Sequence, residues 1–363
     1  MPELGLIGFE RSGKTSLFNA ITGADHAVGF STHAEPHVGV VRVSDERLDR
    51  LAALYRPAKT THATLQFSDF PGDGFRKDAA PELRFLEQLS RADALVHVVR
   101  GFENDAVPHP HGAVDPARDI ESMALELAFA DIALLDKRLE RMAGETKAMK
   151  AAEREHAQRE AAVLQRLREQ LAEGTPVRAA ALASEERRTL APYRFLTARP
   201  LLTVLNVGEA DVAAAGATVA DGHQNAVALE TEPVAVCAAL EMELKALSAE
   251  EAQAYRREVG AAEGALAQAV RHAYAILGLL SFFTVGEEEC RAWTVTRGAT
   301  ALQAAGKIHS DMARGFIRAE VIGWDDLVDA GSEAIARKRA QLRTEGKDYG
   351  IKDGDVVHVL FNV

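Results

Sequence analysis

Residues 4 to 20, LGLIGFERSGKTSLFNA, constrain this chain more than any other stretch, because they read as a strand, a tight glycine loop and the first turns of a helix. Within them Gly8 to Thr15 (GFERSGKT) fits the phosphate-loop pattern G-x-x-x-x-G-K-[ST] without a mismatch. Gly8 and Gly13 permit backbone angles that a Cβ would block, so successive N–H groups can turn inward on a phosphate. The helix starting near Lys14 adds the positive end of its dipole. Gly8, Arg11, Ser12, Gly13, Lys14, Thr15 and Ser16 are therefore the expected phosphate-side residues. Lys14 supplies a point charge for the β- and γ-phosphates, and the Thr15 hydroxyl is placed to coordinate Mg²⁺. The loop predicts an α/β nucleotide-binding domain.

A chain of 363 residues is too long for one ordinary core and predicts two or three domains. With 54 acidic against 42 basic residues it lacks the electrostatic footprint of a general nucleic-acid binder, so DNA is not an expected partner. Cys237 and Cys290 are too few for a disulfide framework and point to a reducing, cytoplasmic setting. There is no basic-then-apolar leader and no apolar run of about 18 residues, so neither export nor membrane insertion is expected.

After the loop, SLFNAITGA closes at Gly23, and residues 24 to 37 form a polar loop suited to a nucleotide-sensing switch. VGVVRV (38 to 43) is a strand, and DERLDRLAALY has helical apolar spacing. THATLQFSDFPGDG then reads as a strand delivering Asp69 at its carboxyl end, where ligands gather in α/β sheets. Asp69 is the expected second Mg²⁺ contact, and the Gly72 N–H is placed to sense the γ-phosphate. ALVHVV (94 to 99) is a third, buried strand.

From about Ile120 to Met142 and from about Ala151 to Leu171 the pattern turns helical, with Ile120, Met123, Leu127, Ala130 and Leu134 at three- and four-residue steps. Two antiparallel helices closing at Gly174-Thr175-Pro176 are the simplest reading. Acidic and basic residues balance there, so the hairpin reads as a solvated charged arm that is also open to use as a docking surface. LLTVLNV resumes the nucleotide fold and ends in Asn206-Val207-Gly208-Glu209, and EPVAVCAALEMEL follows with the Cys237-Ala238-Ala239 turn. A strand ending in N-x-x-[DE] and a later [SC]-A-x-x-E turn are the base-reading elements of the GTPase branch of phosphate-loop proteins. Beyond about Leu280 the pattern is strand, turn, strand, helix, strand and a closing hairpin, with Asp353-Gly354 as its turn.

VGVVRVSDERLDRLA, VHVVRGFEND, NVGE, RAWTVTRGATALQAAGKIH, GFIRAEVI and EGKDYGIKDGDVVHVLFNV together resemble the YchF or Obg-like ATPase family over nearly the whole length, as a divergent member. The resemblance implies a Ras-like phosphate-loop domain (1–118 and 199–279) interrupted by a helical coiled-coil hairpin (119–198) and followed by a TGS domain of β-grasp fold (280–363). It also implies a cytosolic, ribosome-associated protein that slowly hydrolyses ATP in preference to GTP, with Mg²⁺. Glu209 gives that preference a physical handle. It is one methylene longer than the Asp that pairs with guanine, which removes roughly 1 to 3 kcal/mol of guanine selectivity. Nothing in the pattern demands more than a monomer.

Three departures from the family bear on mechanism. Asp73 follows the D-x-x-G motif where a hydrophobic residue is usual, and it either faces the γ-phosphate or turns to solvent. His33 takes the place of the Mg²⁺-sensing threonine, leaving Thr32 one place early as a metal-contact candidate. Arg11 is either a cis cation or a surface arginine. His109, in VPHPHG, matches a stretch used in catalysis by some members and would orient the attacking water if its loop folded over the γ-phosphate. A nucleotide-gated module without useful turnover and a GTP-preferring enzyme are the rival readings.

Overall fold

The computed structural model describes residues 1–28, 35–70, 74–75, 81–145, 150–213, 233–261 and 264–362. The expected sites Thr32, His33, Gly72 and Asp73 lie outside the described residues. Two compact units divide the chain, one of Pro2–Gly39 with Gln66–Ala269, the other of Met1, Val40–Leu65 and Val270–Val363.

The first unit is built on β1 (Glu3–Ile7), which leads through the glycine loop into α1 (Lys14–Thr22). Gly23, in the left-handed conformation, caps α1 where the sequence places its end. The sheet has the order β2-β4-β1-β5-β6-β7, with β2 at His37–Arg42, β4 at Thr64–Asp69, β5 at Ala94–Gly101, β6 at Leu201–Val207 and β7 at Val234–Val236. β4, β1, β5, β6 and β7 pair in parallel. Ala94 to Arg100 of β5 are all buried, as expected of a parallel strand covered on both faces. The register places Leu6 beside Asp69, so the end of β4 arrives next to the mouth of the glycine loop.

The hairpin consists of α4 (Pro116–Glu145) and α5 (Ala151–Ala172). Its apolar stripe changes partner along α4. Met123 and Leu127 pack with Ile7, Phe9 and Leu95 of the nucleotide fold, whereas Ala128, Leu135 and Met142 pack against Leu164, Leu167 and Leu171 of α5. Leu134, expected in the stripe, is exposed, because a 3.6-residue helix drifts against a seven-residue repeat and brings Leu135 to the seam. Asp131 fastens the return of the hairpin, accepting from the N–H groups of Leu196 (2.9 Å) and Thr197 (2.8 Å) and from the Thr197 hydroxyl (2.6 Å).

The second unit holds a mixed sheet of order β11-β10-β12-β8-β9-β3, where β3 is Lys59–Thr61, β8 Leu279–Thr284, β9 Glu289–Thr296, β10 Phe316–Gly323, β11 Arg343–Glu345 and β12 Asp355–Phe361. Helix Ala301–Ile308 covers it, burying Ala301, Ala304 and Ala305 against Leu280, Phe282, Val321 and Val357, which is a β-grasp arrangement. The closing hairpin expected at Asp353-Gly354 is not formed. β12 pairs antiparallel with β10 and parallel with β8, and β11 pairs with β10. The second unit also takes in α2 (Glu46–Tyr55) and β3, from within the range expected to be nucleotide-binding. There β3 pairs with β9, Arg47 binds Asp353 (2.9 Å) and lies over Phe283, and the Tyr55 hydroxyl donates to Glu333 (3.2 Å).

Candidate nucleotide site

The glycine loop is shaped by its neighbours as well as by its own freedom. A Cβ on Gly8 would lie 2.4 Å from the carbonyl oxygen of Val98, and one on Gly13, whose φ is +90°, would lie 2.1 Å from Asn206 Nδ2. Only glycine fits either place. Gly13 offers α1 no side-chain cap, so the first amides of that helix remain available to an anion.

Lys14 folds back over the loop, its Nζ donating to the carbonyls of Gly8 (2.9 Å) and Phe9 (3.1 Å). Burial pulls the Lys14 pKa down, against the opposing pull of Asp69 and Glu10. The Thr15 hydroxyl donates to Asp69 Oδ2 at 2.8 Å. Asp69 is 4% exposed, and burial pushes its carboxyl up. Among the described residues, Asp69 Oδ1 and Ser12 Oγ are buried without a hydrogen-bond partner. An orphaned carboxylate oxygen beside a threonine hydroxyl is a donor set for a hard cation. Among the described residues no three His, Cys, Asp or Glu side chains cluster to cage a metal, and Mg²⁺ typically takes only one or two protein oxygens and completes its shell with phosphate and water. Thr15 and Asp69 therefore fit Mg²⁺. His37 Nδ1 stands 3.9 Å from Asp69 Oδ2, and its ring stacks on His26 at 3.9 Å.

At the other end of the site, Asn206 is 4% exposed and ties two elements together. Its Nδ2 donates to the Ser12 carbonyl (3.0 Å), and its Oδ1 accepts from the Ala238 N–H (3.1 Å). In this structure Asn206 thus fastens the phosphate loop to the Cys237-Ala238-Ala239 turn. Val207 and Cys237 are buried, burial pushing the Cys237 thiol up, while Glu209 is exposed. The structure gathers Arg11, Gly13, Lys14, Thr15, Ser16, Asp69, Asn206, Val207, Glu209, Cys237 and Ala239 around one cavity of about 710 Å³, a volume that suits a nucleotide.

His109 is set apart from that cavity. It is 7% exposed, its Nε2 lies 2.9 Å from Asp119 Oδ2 at the start of α4, and its Nδ1 accepts from the His111 N–H at 3.1 Å. Burial lowers its pKa, and Arg118 holds the other oxygen of Asp119 at 2.8 Å. With both ring nitrogens bonded, His109 latches its loop to α4 and meets no phosphate in this conformation. Arg11, at φ +63°, donates its Nη1 to the Pro108 carbonyl (3.0 Å) and braces the same loop.

One wall of the cavity was not read from the sequence. Phe102, Glu103, Asn104 and Val107 follow β5 and line it. Buried Arg100 holds that wall, donating to the carbonyls of Phe102 (3.0 Å) and Val107 (2.7 Å) with its guanidinium 4.4 Å from the Phe102 ring. The available signal was position: the stretch lies just past the carboxyl end of a buried parallel strand.

Comparison with known proteins agrees with this geometry. Residues 3–135 match a family model described as "50S ribosome-binding GTPase", and residues 279–362 match the YchF-GTPase_C model, described as a protein of unknown function. The chain is 39% identical over 365 residues to the "Ribosome-binding ATPase YchF" of Bacillus subtilis, covering 99% of each. It is 38% identical over 373 residues to the protein of the same name from Escherichia coli O157:H7, again covering 99% of each. The solved structure of the Schizosaccharomyces pombe YchF GTPase superposes with a TM-score of 0.82 at 26% identity, covering 99% of this chain and 97% of that one. With 39% identity to the Bacillus subtilis protein over 99% of each chain and a C-terminal match to the YchF-GTPase_C model, the chain belongs to the YchF family.

Proposed function

We propose that this protein is a slow, Mg²⁺-dependent ATPase that works as a nucleotide-controlled switch on the ribosome in the cytoplasm, as a monomer. One observation carries the proposal: a single cavity is lined at one end by Lys14, Thr15 and Asp69 and at the other by Asn206, Glu209 and Cys237. Relatives named ribosome-binding ATPase support the ribosomal and hydrolytic parts of the reading. No helix among the described residues is long and apolar enough to cross a membrane.

In this mechanism Lys14 releases the Gly8 and Phe9 carbonyls and turns its ammonium to the β- and γ-phosphates. The amides of the glycine loop and the start of α1 hold the phosphate oxygens, and the buried Ser12 hydroxyl gains a partner. Thr15 and Asp69 would hold Mg²⁺, which when bound would supply neutralisation of charge on the transferring phosphoryl group. The chain's contribution is positioning and electrostatics, with the Gly72 amide as the sensor of the γ-phosphate. No glutamine is available after the D-x-x-G motif to hold the water, which accounts for slow turnover. The hairpin and the β-grasp unit, as a TGS domain, present the ribosome-facing surfaces.

A GTP-preferring enzyme is the second reading, favoured by the family description of a GTPase and by the name of the yeast relative. Calorimetric titration of ATP and GTP, each with Mg²⁺, into wild type and Glu209→Asp separates the two. Tighter ATP binding in wild type with a shift toward GTP in the variant is expected. Tighter GTP binding in wild type rejects the ATPase assignment, and absent turnover with Mg·ATP leaves a nucleotide-gated binding module.

A further inference from the structure

Tyr255 lies outside every motif that identifies the site. It sits on the helix Ala249–Glu258, and its hydroxyl donates to Glu209 Oε1 at 2.7 Å. The next residue, Arg256, donates its Nη2 to Glu241 Oε2 at 2.7 Å. Glu241 is buried on the helix Ala238–Leu244, which starts at the Cys237 turn. Two adjacent side chains of one helix therefore grip both elements of the base end of the cavity.

That helix is itself well anchored. Ser248 and Glu251 form a capping box at its start. Ala252 is buried with Val207, Cys237, Leu240 and Leu244, and the Tyr255 ring packs against the same group. The oxygen that meets Glu209 is thus carried on a ring whose place is fixed by packing.

We propose that Tyr255 is a positioning residue that sets the base selectivity of the site by holding the Glu209 carboxylate in one orientation. The inference rests on the base-facing role given to Glu209 above. A glutamate is long enough to swing, and swinging is what would let both of its oxygens meet the N1–H and the exocyclic amino group of guanine. Tyr255 takes up one oxygen and leaves the other to accept a single amino hydrogen, such as that of adenine N6. A charge-assisted hydrogen bond of this kind is strong enough to bias a flexible side chain.

The test is a double-mutant cycle on Tyr255→Phe and Glu209→Ala, with the dissociation constants of ATP and GTP measured calorimetrically in the presence of Mg²⁺. Phenylalanine keeps the packed ring and removes only the hydroxyl. In Tyr255→Phe the ratio of GTP to ATP dissociation constants should fall about three- to tenfold, while in the Glu209→Ala background the same change should leave the ratio within about twofold. A merely structural role would weaken both nucleotides alike, so an unchanged ratio in Tyr255→Phe overturns the inference. A shift that persists without Glu209 overturns it as well. A wild-type ratio unmoved by Glu209→Ala itself removes the base-site reading, and the inference with it.

Discussion

Replacing Asn206 by alanine tests whether the two ends of the cavity are held together as described. The change deletes a donor to the Ser12 carbonyl at 3.0 Å and an acceptor for the Ala238 N–H at 3.1 Å, both buried. Each orphaned buried backbone group costs about 1 to 3 kcal/mol, so the pair should cost about 2 to 6 kcal/mol locally. The Ala238 amide reports this directly by hydrogen exchange. A loss of about 2 kcal/mol or more should speed its exchange by at least about thirtyfold, since 1.4 kcal/mol is a factor of ten. ATP affinity should fall about ten- to a hundredfold as the glycine loop loses its tie to the base-side turn. Asn206→Asp separates the two bonds: it keeps an acceptor for Ala238 but turns a carboxylate oxygen on the Ser12 carbonyl. Ala238 protection should survive in that variant while ATP affinity falls. Unchanged exchange of Ala238 in Asn206→Ala would refute the reasoning.

Asp69→Asn should leave the nucleotide-free protein within about 1 kcal/mol of wild type in urea unfolding, since it relieves the cost of a buried carboxylate. The same variant should lose at least about tenfold of the Mg²⁺-dependent gain in ATP affinity, and a Mg²⁺ effect of wild-type size would contradict the metal assignment. Arg47→Ala removes a half-buried guanidinium bonded to Asp45 and Asp353 and should cost about 1 to 2 kcal/mol. The fluorescence of Trp293 and Trp324, both in that unit, reads the loss in urea, and an unmoved midpoint would count against it. Burial pushes Asp131 up to about 6, above its unfolded value of about 4, so the folded state binds the extra proton between those pH values. Wild type should therefore lose stability relative to Asp131→Asn as pH rises from about 4 to about 6 and stay level above, and a gap moving the other way would reverse the sign.

Much of the nucleotide site was legible because a phosphate loop is a local device. Gly8, Gly13, Lys14 and Thr15 act through backbone angles and short side chains within one strand–loop–helix unit, so their order in the chain is nearly their order in space. Asp69 was legible for a related reason, since a buried parallel strand delivers its last residue to the ligand edge of the sheet. The wall from Phe102 to Val107 carries no such local rule. It lines the cavity because Arg100, one place past the strand expected over 94 to 99, turns its guanidinium onto the carbonyls of the following loop.

His109 shows where a motif stops short of a position. The sequence offered it to the γ-phosphate, and the folded chain bonds both of its ring nitrogens, one of them to Asp119 of α4. The segment from Val40 to Leu65 shows the same at the level of a domain. Its strand and helix patterns were plain, but Arg47, Tyr55 and β3 find their partners in residues beyond 280, and no pattern along the chain announces a pairing so distant.

By itself the sequence determined the phosphate loop, the delivery of Asp69 to its mouth, the strand ending at Asn206 and the turn at Cys237, the helical hairpin and the β-grasp tail, since each follows from periodicity or a short motif. Tertiary structure alone decided that Asn206 ties loop to turn, that Tyr255 holds Glu209, that the hairpin's stripe passes from Leu134 to Leu135, and that β12 lies between β10 and β8. The physical reason is common to these cases: a hydrogen bond or a packed contact selects its partner by distance in space, and chain order constrains that distance only over a few residues.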